Sequence, residues 1–366
     1  MNKFNTWGRS LGILLAAGAF AIGACAGELP RYSCEKLEGA DLDGQQAFTG
    51  AINDSGDVVG LGFFARRLNV MTGAHWDAAG HVSYLFRSRR LHSGAYGIND
   101  AGQVVGFAQL RDGGDHPAVW VNGEPSPLPS LSGDELSVGN AVSINNEGQI
   151  VGFTDVGTGP QTHATLWDQG RAIDLGALDG GYSSFAAAIN DHGVVAGVSD
   201  APTGGRHAVR WTHGTIQDLG TLAGGFRSEA TAISLRGVVV GHSDSAEHPY
   251  RLHAAVWRGG EVIDLGALPG DLMSEAHAIS ADGSVILGQS RADEGELARA
   301  VAWFGDSTAP VALDDLVVGG CRDGKGHLRS LTAASGVNAR GDIAATAANY
   351  GPHGAFRVSA FKLKRL

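Results

Sequence analysis

The sequence predicts an all-β fold, a seven-bladed β-propeller with blade seven closed by an N-terminal strand. Three observations lead there: a turn phrase that returns seven times, a tryptophan phrase that returns with it, and an orphan strand upstream of the first unit. A fixed period of this kind marks a repeat architecture, in which each copy is one supersecondary unit.

The turn phrase stands at Ile52-Asn53-Asp54, Ile98-Asn99-Asp100, Ile144-Asn145-Asn146 and Ile189-Asn190-Asp191, then in weaker form at Ile233-Ser234, Ile279-Ser280 and Val337-Asn338. The spacings are 46, 46, 45, 44, 46 and 58 residues, so the last copy is displaced by an insertion. A glycine follows each time, at Gly56, Gly102, Gly148, Gly193, Gly237, Gly283 and Gly341. Asn and Asp fold back on their own backbone and glycine reaches positive φ without steric cost, so the cluster predicts a hairpin turn. The run after it, such as Val238–Gly241, is apolar without alternation, as in a strand covered on both faces.

The second phrase begins at His75, His116, His163, His207, His253 and Arg299, and in a last copy at His353. It holds Trp76, Trp120, Trp167, Trp211, Trp257 and Trp303, while the last copy has Phe356 and no tryptophan. A glycine turn and a fourth strand follow, most clearly in the Asp-Leu-Gly runs at Asp174, Asp218 and Asp264. Four short strands in about 46 residues is the size of a propeller blade. No segment sustains a 3.6-residue period with caps, so helix is not expected.

The ends fit a closed ring. The final unit supplies strands near residues 331–338, 342–347 and 353–363 and then stops, while residues 32–37 form a lone strand before the first unit. That strand is expected to complete blade seven, three strands to one, which leaves no sheet edge exposed. An open solenoid would need polar capping repeats, and neither end reads as one.

Units three to five fit the pattern S-x-A-x-A-I-N-x-x-G-x-V-V-G-x-S followed by H-A-x-x-W-x-x-G-x-x-x-D-L-G-x-L. This resembles the HAF repeat, an extracellular repeat named for its His-Ala-Phe tripeptide, over the chain from about Tyr32 onward. The resemblance implies a propeller-like fold in an exported protein and assigns no activity.

Residues 1–26 read as a signal peptide. Lys3 and Arg9 are their only charges, and Leu11–Ala24 is an uncharged run too short to span a bilayer. Ala24-Cys25-Ala26 fits ordinary cleavage, and Ile22-Gly23-Ala24-Cys25 resembles a lipobox that would lipidate Cys25. Both readings stay open. The protein is then expected outside the cytoplasm, as a periplasmic, outer-membrane lipoprotein or secreted protein, with residues 27–366 as a single propeller domain. Losing Lys3 and Arg9 takes the net charge from -11 to -13. An acidic chain excludes nucleic acid as the expected partner, and membrane contact is expected only through a lipid on Cys25. The partner expected is a protein or a glycan.

The mature chain keeps Cys34 and Cys321. Cys34 lies in the clasp strand and Cys321 in the long connection into blade seven, so closure would bring them together as a disulfide. The b–c and d–a connections vary between units while the a–b and c–d turns are uniform, which places any site on the b–c/d–a face. Two local clusters there are candidates: Glu247, His248, Tyr250 and Arg251, and Arg322, Asp323, Lys325 and His327. The repeated histidines recur once per blade, too far apart to converge on a metal. Asp41-Leu42-Asp43-Gly44 lacks the later ligands of a calcium loop. No hydrolase, zincin, P-loop or dinucleotide fingerprint occurs, and no cofactor is expected. The chain therefore reads first as a non-enzymatic binding or scaffold protein, and second as a propeller-type polysaccharide lyase or glycosidase.

Overall fold

Blade four shows how one repeat folds. Ser184–Ile189, Val195–Asp200, Arg206–Thr212 and Thr215–Gly220 pair in order as antiparallel strands a to d. The a–b turn is built by Asn190, whose side-chain oxygen accepts the N–H groups of His192 and Val194 at 3.1 and 3.0 Å. The c–d turn puts His213 and Gly214 at φ 49° and 78°, the left-handed pair of a type I′ hairpin. Strand a is bulged between Ala186 and Ala188. The bulge brings the Phe185 carbonyl so close that a Cβ on Gly197 would lie 2.1 Å from it, which explains the second glycine of the phrase.

The structure is a computed structural model describing residues 28–39, 46–63, 70–85, 91–110, 114–121, 123–133, 138–157, 161–202, 204–293, 295–350 and 356–366. The segment read as a signal peptide (with Cys25), the Asp41–Gly44 stretch and His353 lie outside them. Arg31–Leu366 is one unit. Five separate sheets have four strands each, and two further blades share an eight-stranded sheet through one parallel pair, Gln46 with Val358. Blade seven is Leu331–Val337, Ile343–Tyr350 and Phe356–Arg365, completed by Tyr32–Lys36. The clasp runs antiparallel from Tyr32 opposite Arg365 to Lys36 opposite Phe361. The seven-bladed ring closed three strands to one is therefore as the sequence predicts.

The six repeat tryptophans are buried between blades. Four of their indole N–H groups donate to the outer edge of the preceding blade: Trp76 to Glu38 O, Trp167 to Pro129 O, Trp257 to Gly220 O and Trp303 to Leu265 O, at 2.6–3.2 Å. Each of these four rings thus contributes apolar burial and one cross-blade bond, whereas Trp120 and Trp211 contribute burial alone.

Two copies of the tryptophan phrase fold in a register that their letters conceal. In blade one, Trp76 pairs with Val58, so Thr72 and not His75 occupies the histidine position. His75 sits beside the tryptophan, 3.5 Å from Asp57. In blade seven, Leu363 pairs with Ile343 as Trp167 does with Ile150. The true last copy is therefore Ser359-Ala360-Phe361-Lys362-Leu363, six residues after the copy read at His353. Letter matching fails here because pairing distance from the a–b turn, not the residue type, sets the position.

Lys362 in that copy is buried. Its ammonium donates to the carbonyls of Gly56 and Ala78, at 3.1 and 2.6 Å, across the junction with blade one. Burial pushes its pKa down, and Glu35 opposes this.

The insertion before blade seven packs on the free edge of the clasp. One helical turn, Leu313–Leu316, departs from the all-strand expectation. Its two leucines, three residues apart, both face the core around Tyr32. Val318 N–H then donates to Tyr32 O at 2.8 Å. A small hairpin pairs Cys321–Arg322 with Leu328–Arg329, and Cys34 and Cys321 form a disulfide with Cα atoms 5.2 Å apart.

Around the axis the turns are laced together. The Nδ2 groups of Asn53, Asn99, Asn145, Asn190 and Asn338 donate to the carbonyls of Asn99, Asn145, Asn190, Ser234 and Asn53, at 2.9–3.2 Å. This belt explains why the phrase asks for Asn rather than for any turn former. Asn145→Ala is expected to cost about 2 kcal/mol by stranding buried partners, read as a lower urea midpoint with an unchanged slope.

Candidate functional site

The repeated polar residues are occupied with one another. His163, His207 and His253 place Nδ1 against Asp174, Asp218 and Asp264 on the neighbouring outer strand, at 2.8–2.9 Å. Those carboxylates also accept the N–H groups of Gly176, Gly220 and Gly266, at 2.7–2.8 Å. Ser184, Ser228 and Ser274 then donate to the same glycines' carbonyls at 2.7 Å. The hydrogen bond that His253 donates to Asp264 raises the pKa of His253. Burial alone would raise that of Asp264, but the bonds from His253 and Gly266 leave it below the usual carboxylate range. This is a structural rail from strand c to the next blade, not a site.

The two sequence-predicted clusters do not converge. His248 stacks on His253 with ring centroids 4.6 Å apart, and Tyr250 stands exposed in the same loop with φ 67°. Glu247 and Arg251 share that loop. The second cluster is a self-contained turn. Asp323 accepts the backbone N–H groups of Lys325 and His327, both at 2.9 Å, and binds the Arg329 guanidinium. Burial opposes its ionisation, yet these donors hold its carboxyl well below the ordinary range. Arg322 donates to Gly326 O at 2.9 Å. Among the described residues no hydrogen bond or ion pair joins the two clusters.

A third cluster lies on the inner strands of blades five and six, toward the b–c/d–a face. Glu229 and Glu275 occupy the second position of strand a, where other copies carry Phe48, Gly94, Asn140, Phe185 and Ala333. Opposite them on strand b stand His242 and Gln289. Glu275 takes Arg291 Nη2 at 2.9 Å, Gln289 Nε2 at 3.1 Å and His277 Nε2 at 3.5 Å. The His277 bond, with the Arg291 guanidinium and with His242 once acid has protonated it, holds its pKa at about 2 against burial. His242 Nε2 is 3.8 Å from Glu229 Oε2. Its Nδ1 is buried without a partner, and burial pushes its pKa down despite both glutamates. The cluster can hold a neutral imidazole beside an ionised carboxylate. The sequence reading missed it because it fills variable positions of the repeat; comparing the copies position by position would have found it.

The same face carries an apolar row. Tyr182, Phe226 and Leu272 each stand two residues before the serine that opens strand a in blades four, five and six, and they are 54%, 56% and 41% exposed. On the opposite face a cavity of about 340 Å³ opens between blades three and four, lined by Gln149, Asp191, His192, Trp211 and His213.

No protein-family model matches the chain, and no curated protein matches it. Solved structures do. A puromycin hydrolase superposes with TM-score 0.56 at 13% identity, covering 91% of this chain and 55% of its own. TolB from Acinetobacter baumannii gives 0.46 at 15% identity, over 66% of this chain and 58% of its own. The β-propeller domain of the Trilobed protease from Pyrococcus furiosus gives 0.43 at 15% identity, over 57% and 63%. The chain spans little more than half the length of the hydrolase. At these identities the likeness concerns the fold alone.

Proposed function

We propose that the chain is an exported, non-enzymatic binding or scaffold protein of HAF-like repeats, which takes its partner on the b–c/d–a face of blades four to six. The observation that carries this is the exposed row of Tyr182, Phe226 and Leu272. Side chains that recur at one repeat position in three neighbouring blades share one side of the ring, where scattered apolar residues would not. Support also comes from the rail and the belt, which engage the repeated His, Asp and Asn side chains and leave a rigid frame beneath this face. Loops on such frames carry binding.

The second reading, a propeller-type lyase or glycosidase acting on the same face, draws on His242. A neutral imidazole with an unpartnered nitrogen beside Glu229 and Glu275 has the make-up of a general base. Incubating the mature protein with a panel of polysaccharides and proteins separates the two. Retention of one partner without new reducing ends or unsaturated products is expected. Product release that Glu275→Gln or His242→Ala abolishes would replace binding with catalysis.

A further inference from the structure

Resting on that reading, we propose that the Tyr182–Phe226–Leu272 row is a binding rim for a neutral polysaccharide, with Glu229 as its hydrogen-bonding group.

The row is held rigidly from behind. Gln161 Nε2 donates to Tyr182 O at 2.8 Å, Phe226 N–H donates to Asp244 Oδ1 at 2.7 Å, and Leu272 N–H donates to Arg291 O at 3.0 Å. The backbones are fixed while the side chains face solvent, so a ligand need not order them first. Tyr250, 81% exposed in the b–c loop of blade five, adds a third aromatic ring on the same face. Aromatic faces carry partial negative charge and pack against the slightly positive C–H faces of a sugar ring.

Charge selects among polymers. Arg206, Arg227, Arg291 and Arg299 are engaged by Asp200, Asp244, Glu275 and Asp271, at 2.8–3.7 Å. Among the described residues of this sector, Arg251 has no ion pair, and Glu247 shares its loop. Glu229 keeps 43% of its side chain exposed, with only the His242 imidazole near its carboxylate in an ion-pair contact. A free carboxylate accepts sugar hydroxyls in charge-assisted bonds and repels uronate or sulfate groups. The net charge of the mature chain acts in the same direction. The placement, one apolar side chain per blade at a constant repeat position, suits a chain of repeating units. A protein partner is instead met by a central cluster of anchors.

Affinity electrophoresis of the mature protein through gels cast with dextran, mixed-linkage β-glucan or xylan tests this, with polygalacturonate and polylysine as charged comparators. Retardation by a neutral polymer is expected. Tyr182→Ala and Phe226→Ala should each weaken it about tenfold, Glu229→Gln should weaken it too, and Leu328→Ala on the remote hairpin should leave it unchanged. These are surface positions, so the variants should keep the parent thermal midpoint. Retardation by polygalacturonate alone or polylysine alone, or neutral binding indifferent to Tyr182 and Phe226, overturns the neutral-glycan rim while leaving a binding role intact. Absence of any retardation also overturns it. Depolymerisation of the gel matrix overturns the binding role itself.

Discussion

Reducing the Cys34–Cys321 bond, or replacing both cysteines with alanine, is expected to lower the thermal midpoint by about 5–10 °C. The bond closes a loop of 287 residues. On a chain-entropy model, a loop of that length restricts the unfolded chain by roughly 5 kcal/mol. It also acts where the ring is joined. Cys34 is in the strand that completes blade seven, and Cys321 is in the insertion that covers that strand's free edge. Loss of the bond should therefore raise the unfolding rate as well, since the clasp is the one place where the ring is closed by strands from the two ends of the fold. Differential scanning with and without reductant gives the shift. Thiol titration of the native, unreduced protein should find neither cysteine reactive. Two reactive thiols, or identical midpoints in both conditions, would refute the clasp.

Glu275 should make the ring acid-sensitive. Its folded pKa is about 2 and its ordinary value is 4.5. A carboxyl whose pKa is depressed on folding contributes stability that is complete above its unfolded pKa. That contribution is lost as pH falls from about 4.5 toward 2. The difference corresponds to about 3 kcal/mol, and the side chain is only 17% exposed, so solvent screening removes little of it. Glu275→Gln should be less stable than the parent by this order at pH 7, and the gap between the two urea midpoints should shrink as pH falls from about 4.5 to about 2. A constant gap across that range would mean that His277 and Arg291 do not hold the carboxylate in solution.

The architecture was legible because its signals repeat. Asn and glycine recur wherever the a–b turn and the belt need them, and Tyr32–Lys36 had no partner other than blade seven. The misread positions have one cause. His75 and His353 carry the expected letter, but Thr72 and Ser359 stand at the paired position, and sequence alone does not count pairing distance along strand b. The helical turn at Leu313–Leu316 was hidden because four residues are too few for a period. Glu229, His242, Glu275 and His277 were invisible for the converse reason. They lie where the repeat tolerates anything, so no motif flags them, and only a position-by-position comparison of the copies brings out that two neighbouring blades carry their exceptions at the same place. Of the loop residues chosen from sequence, Tyr250 joins the proposed rim, whereas Asp323 and His327 serve their own turn.

The asparagine belt is not a full circle. Ser234 and Ser280 replace Asn in blades five and six, and their hydroxyls bond within their own turns, to Val238 N–H and to Val285 N–H and Asp282. One backbone bond, from Leu235 N–H to Ala281 O, crosses there instead. The five asparagine bonds thus lace six blades, from blade seven round to blade five, like a split collar whose opening is bridged by Leu235 and by Thr231 Oγ1 donating to Ala276 O at 2.8 Å. The opening falls in the two blades that carry Glu229 and Glu275, so the exceptions in the belt and the exceptions in strand a share one arc of the ring.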